Sequence, residues 1–340
     1  MHNMDIEEAV RDFTEALKYG PDEWVIYNNL GCCYERTGDY AKAISYFKEA
    51  LQRLGDKKSQ LPYGNLADCY QALGDFRQAI ECYNKNLEQE PNDKTIFKEL
   101  GFLYRYLGDY KQAIKYFEKD PENKDYYSRI GDVQYLQGRT ALALLTYKKG
   151  VQTAKKEDKA DRLSDLAAYY KDQLIDFKKA ETYYLKALAI ETAPDELHEI
   201  EWELASLCFR MRRFKDAKLH AQKSLEHFSK TKWTSEENYL NYRPYRAARL
   251  MRHGWIYICL GETEKGLNYF HQMNQCLRCR QCRHQVCFEG YLYLAMYYEA
   301  MEDYPRAIEY YEKSLEANPH GITARATLEH LRKKMGKKNG

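Results

Sequence analysis

The sequence predicts an all-α protein, a solenoid of tandem antiparallel helix pairs, and three observations predict it. The segment "NNLGCCYERTGDYAKAISYFKEAL" at 28–51 returns as "GNLADCYQALGDFRQAIECYNKNL" at 64–87 and again as "KELGFLYRYLGDYKQAIKYFEKD" at 98–120. Each copy splits at a Gly-Asp dipeptide into two stretches of helical periodicity, with glycine ending one helix and aspartate capping the next. Finally, 44% apolar and 31% charged residues over 340 positions describe a chain that folds rather than one that stays disordered.

The marks of the repeat have physical reasons. A small residue in the first helix lets the second approach closely, and an aromatic side chain fills the space beside it. In the three strong copies these marks are Gly31, Tyr34, Gly38, Ala43, Phe47 and Ala50; Ala67, Tyr70, Gly74, Ala79, Tyr83 and Pro91; and Gly101, Tyr104, Gly108, Ala113, Phe117 and Pro121. The pattern resembles the tetratricopeptide repeat, whose unit is a pair of antiparallel helices about 34 residues long. The resemblance implies a right-handed superhelix in which each pair buries its apolar face on the next.

Looser copies follow at Gly131 with Tyr147, at 166–188, at Ala205 with Ala217, at Gly254 with Gly261, and at Ala295 with Tyr311. Eight complete pairs are therefore expected, starting near 24, 60, 94, 124, 160, 198, 247 and 288. Residues 1–23 carry Ala9, Phe13, Ala16 and Pro21, the marks of a second helix alone, and are assigned to a half repeat or capping helix. Units 1–6 then occupy 24–228, an inserted segment 229–246, unit 7 247–275, a cysteine-rich loop 276–287, unit 8 288–319, and a closing helix with a basic tail 320–340.

With 53 basic and 51 acidic residues the net charge is only +2, which offers no global field for nucleic acid. No apolar run approaches the roughly 20 residues of a membrane span. The start "MHNMDIEEAV" lacks a basic region followed by an apolar stretch, so a cytoplasmic location and no membrane partner are expected. No phosphate-cradling glycine loop, His-Glu-x2-His or Gly-x-Ser-x-Gly occurs, so no enzyme is expected.

The segment "NQCLRCRQCRHQVCFEG" at 274–290 concentrates four of ten cysteines where the period is broken. The spacing Cys276-x2-Cys279-x2-Cys282-x4-Cys287 suits one tetrahedral zinc ion with thiolate ligands about 2.3 Å away. His284 is an alternative donor to Cys282, and sequence does not choose between them. Arg278, Arg280 and Arg283 would offset the negative charge of a four-thiolate site. Such a zinc would be structural, since all four positions are filled by protein. An iron–sulfur cluster and free thiols are the competing readings; the former departs from the ferredoxin spacing in its last gap and in lacking the proline.

In the family, the concave face is lined by positions 2, 5, 9, 12 and 13 of each first helix. That register assigns Val25, Asn28, Cys32, Glu35, Arg36, Lys98, Phe102, Arg105, Tyr106, Asp125, Asp132 and Asp161 to a groove of mixed charge. Toward the C-terminus it assigns Trp202, Phe209, Arg210, Met251, Trp255 and Met296, suited to anchoring a protein or peptide segment. The competing reading packs Trp202 and Trp255 beneath the inserted segment. The resemblance implies a protein–protein interaction scaffold; the alternatives are an intracellular receptor for a signalling peptide, or the regulatory arm of a larger protein.

Overall fold

The computed structural model describes residues 2–55, 59, 61–231, 246–274, 289–317, 319 and 321–336. Among these residues all regular structure is α-helical. A lone α1 (His2–Ala16) is followed by α2 (Trp24–Thr37) with α3 (Tyr40–Leu54), α4 (Leu61–Leu73) with α5 (Phe76–Gln89), and α6 (Lys94–Tyr106) with α7 (Tyr110–Phe117). Then come α8 (Tyr126–Leu136) with α9 (Thr140–Thr153), α10 (Lys159–Asp172) with α11 (Phe177–Leu188), and α12 (Pro194–Arg210) with α13 (Phe214–Phe228). The last pairs are α14 (Arg246–Leu260) with α15 (Thr263–Asn274) and α16 (Glu289–Ala300) with α17 (Tyr304–Ala317), before the closing α18 (Ile322–Gly336). The pairs form two compact units, one within Met1–Tyr126 and the other beginning at Tyr127.

Within a pair, helix spacing is set by a glycine against a ring. A Cβ on Gly31 would lie 2.5 Å from Phe47, on Gly101 2.3 Å from Phe117, on Gly131 2.5 Å from Tyr147 and on Gly254 2.4 Å from Phe270. These distances are far inside van der Waals contact, so any side chain there pushes the pair apart. The turns obey the capping logic: Gly38, Gly74 and Gly108 adopt φ of 83°, 77° and 78°, and Asp39, Asp75 and Asp109 accept from the amides of Lys42, Gln78 and Gln112.

The second unit departs from this logic in three turns, where Ile175, Arg212 and Glu302 hold positive φ (54°, 63° and 62°) in place of glycine. Each bears a left-handed backbone cost of roughly 1–2 kcal/mol. Two of them meet: Arg212 Nη1 lies 2.5 Å from Glu302 Oε1, joining the turn of the α12–α13 pair to that of the α16–α17 pair. The first helices beneath this contact also touch, with Phe209 stacked 6.2 Å from Tyr297, and α18 reaches back to α10. This unit is closed over its own inner side.

Gly101→Ala is expected to lower stability by about 1–3 kcal/mol, the strain of overpacking less the helix-propensity gain of alanine. Adding Phe117→Leu should recover part of the loss. Urea titration of the two variants checks this, with a shifted midpoint and an unchanged slope as the expected signature.

Candidate functional site

The side chains assigned to the groove behave differently in the two units. In the second, Trp202, Phe209, Met251, Trp255 and Met296 all belong to one core cluster, with Trp255 fully buried and Phe209 edge-on to it at 5.6 Å. Arg210 is buried too, its guanidinium 4.6 Å above the Phe177 ring and 3.9 Å from Asp172. The expectation that these residues stand exposed as anchors is corrected: large apolar groups on adjacent first helices bury one another before any ligand arrives. Beside them, Lys171 pairs with Glu203 at 2.5 Å and lies 5.9 Å from the Trp202 ring.

The first unit keeps its inner side polar. The Asn65 side-chain amide donates to Asn28 Oδ1 at 3.0 Å and approaches the Cys32 sulfur at 3.5 Å, linking α4 to α2. One turn farther along, Glu35 on α2 lies near Asp68 on α4. Burial, and then the Asp68 charge, raise the Glu35 pKa to about 7, while Arg36 pulls it the other way. Glu35 forms no ion pair among the described residues. Asp68 is exposed yet fixed, because Tyr83 of α5 passes its hydroxyl between the helices to the carboxylate. Cys32 is no nucleophile: burial, and next the Glu35 charge, push its thiol up to about 11.

On α6, Lys98 is half-exposed and paired with Glu99 at 2.9 Å, and Phe102 is half-buried. Arg105 is turned inward, 8% exposed, with its guanidinium 5.1 Å from the Phe102 ring centre and 5.3 Å from that of Tyr106. The groove role expected of Arg105 is therefore corrected as well: the cation is engaged by rings of its own helix. Val25 stays 43% exposed at the start of α2.

The sequence reading missed the braced carboxylates. Tyr83 to Asp68 has counterparts in Tyr147 to Asp132 (2.7 Å) and Tyr311 to Glu299 (2.6 Å). The signal was present, since these repeats carry tyrosine where others carry Phe47, Phe117 and Phe270. Cys276, Cys279, Cys282, His284 and Cys287 lie outside the described residues, as does most of the inserted segment 229–246. Among the described residues no group of three His, Cys, Asp or Glu side chains could hold a metal ion, and no helix is long and apolar enough to cross a membrane.

Tetratricopeptide repeat families match residues 24–55, 60–119, 98–158 and 288–320. The chain belongs to the tetratricopeptide repeat family. No curated protein matches the sequence. Among solved structures, the C-terminal part of a repeat protein from Cytophaga hutchinsonii is 18% identical, with 71% of this chain and 96% of that one covered and a TM-score of 0.45. A tetratricopeptide repeat protein from Parabacteroides merdae is 17% identical over 77% of this chain and 94% of its own, with a TM-score of 0.47. A third, YrrB, described as having an unusual peptide-binding site, is 18% identical over 53% of this chain and 92% of its own, with a TM-score of 0.38. Membership of the repeat family supports a protein–protein interaction scaffold.

The raised Glu35 pKa has a stability consequence. A carboxyl at about 7 when folded and near 4.5 when unfolded stabilises fully below pH 4.5 and loses that contribution as pH rises through 7. His198 works in the opposite sense, since burial lowers its pKa from 6.5 to about 4 and its contribution is lost as pH falls between those values. The readout is therefore the difference between wild type and Glu35→Gln in urea unfolding across pH 4–8. The variant should gain on wild type as pH rises, by roughly 1–2 kcal/mol once screening at this part-exposed site is allowed for.

Proposed function

We propose that the chain is a scaffold that holds an extended, basic protein segment along the inner side of its first unit. The observation that supports this most is Glu35, a largely buried carboxylate with no ion pair among the described residues, set beside the fixed Asp68. A lysine or arginine placed between them would favour ionisation of Glu35 and make charge-assisted hydrogen bonds to its carboxylate. The half-buried Asn65, its side-chain amide held by the buried Asn28, offers its carbonyl oxygen to a peptide backbone one turn away, and the half-buried Phe102 offers an apolar edge. In the second unit the buried tryptophans stabilise the fold instead of contacting the partner.

Fluorescence anisotropy with labelled peptides of matched length and opposite charge tests the reading. Lysine-rich peptides should bind, acidic ones should not, and Asp68→Asn with Glu35→Gln should weaken binding by at least tenfold at pH 8. Unchanged affinity in that double variant would remove the site.

We also propose that the loop 276–287 is cross-linked by a structural zinc ion through Cys276, Cys279, Cys287 and either Cys282 or His284. The support is their spacing, together with the inability of so short and polar an insertion to build an apolar core. Elemental analysis of purified protein should find about one equivalent of zinc, lost when Cys276→Ser and Cys279→Ser are combined.

A further inference from the structure

Three second helices of the second unit share a lysine-rich outward face. Across α9, α11 and α13 there are eight lysines and only three acidic residues, Glu181, Asp216 and Glu226. All three acids are neutralised locally. Arg213 takes Glu181 at 2.6 Å and Asp216 at 2.6 Å, which also joins α13 to α11, and Lys230 takes Glu226 at 2.8 Å. Lys149, Lys178, Lys186, Lys215, Lys218 and Lys223 are left exposed with no ion pair among the described residues. The near-neutral total of +2 conceals this local excess.

Apolar side chains stand among these lysines. Leu145 is 63%, Leu185 45% and Leu219 50% exposed. On α9 the outward stripe is Leu142, Leu145, Lys149; on α11 it is Lys178, Leu185, Lys186; on α13 it is Lys215, Lys218, Leu219, Lys223. Spacings of three, four, seven and eight residues, with Leu185 and Lys186 adjacent and Lys218 and Leu219 adjacent, place charge and hydrocarbon on the outward side of each helix.

We infer that this face docks on an anionic lipid surface. A single acidic helix, about 10 Å across, would cover one of the three stripes and leave the other lysines uncompensated. A planar sheet of negative headgroups meets all three together, and the leucines interleaved with the lysines enter the headgroup boundary as the charges settle on it. Nucleic acid would use the charge but has no use for the leucines. The patch lies wholly on second helices and shares no residue with the inner side of the first unit, so this inference does not rest on the peptide-binding proposal.

Cosedimentation of the full chain with phosphatidylcholine vesicles, with and without phosphatidylserine, tests it. Capture is expected only with phosphatidylserine and should fall steeply as salt is raised. At roughly fivefold per lysine, Lys149→Glu, Lys186→Glu and Lys218→Glu together should cost about a hundredfold or more in vesicle affinity, while Lys111→Glu with Lys115→Glu in the first unit costs little. Leu145→Ser with Leu219→Ser should weaken capture at unchanged charge. Circular dichroism confirms that each variant is folded, and Lys→Gln at the same three positions, with a smaller loss, replaces the charge reversal should that variant unfold. The inference is overturned by absence of capture on either vesicle, by undiminished capture of folded lysine variants, or by binding to RNA or polyglutamate while phosphatidylserine vesicles are ignored.

Discussion

The contact between a glycine of a first helix and a ring of its partner sets the geometry on which both units are built. At Gly31, Gly101, Gly131 and Gly254 there is no room for a Cβ, so the ring presses on the helix backbone and fixes how closely the pair packs. The ring's chemistry then decides what reaches the inner side. Phenylalanine ends inside the pair, whereas tyrosine carries a hydroxyl through it, and Tyr83, Tyr147 and Tyr311 spend that hydroxyl on Asp68, Asp132 and Glu299. One core position thus sets helix spacing and orients a carboxylate. Burial, followed by the charge of the carboxylate it meets, raises the pKa of each of these tyrosines, so they remain hydrogen-bond donors at neutral pH.

The two units differ because their inner positions differ in solvation cost. Glu35, Asp68 and Lys98 lose too much hydration to collapse onto one another, so they stay in contact with solvent, while Asn28 is buried only by spending its oxygen on Asn65. Trp202, Phe209, Met251 and Trp255 gain roughly 2–3 kcal/mol each on burial, and that gain offsets the backbone strain of Arg212 and Glu302 where their turns are drawn together. Side chains of opposite charge at those two positions make the approach more favourable still. The same repeat therefore yields a solvent-contacting face in one unit and a core in the other, with no change in helix pairing.

The repeats were legible from sequence because small residues, rings and Gly-Asp turns recur at fixed spacing, and spacing survives where residue identity drifts. What lies over a given helix face has no such local record. The register correctly directs Trp202 and Trp255 inward, but whether inward means groove or core depends on contacts between repeats two apart, such as Arg212 with Glu302. The lysine-rich outer face was hidden for another reason: acids elsewhere balance its charge in the total, and its stripes emerge only when three separate helices are laid side by side. The tyrosine braces left a legible trace, in the choice of Tyr83 over phenylalanine, but their partners are fixed by rotamers.

If the first unit holds a basic segment as proposed, a carboxyl with a pKa near neutrality makes that recognition a matter of protons as well as shape. In the free protein, burial and then the Asp68 charge oppose ionisation of Glu35 and raise its pKa to about 7. A bound lysine or arginine favours the ionised form, so binding drives a proton off, and by linkage affinity must rise as pH passes upward through 7. A cation held only by an exposed, already ionised carboxylate would show no such dependence in this range. The sign comes from where Glu35 sits, on a first helix and largely buried, because the same residue on an outer face would be ionised throughout and contribute attraction without selectivity. Burial that costs stability in the free protein is thus the feature that couples binding to pH, and it does so without a histidine at the site.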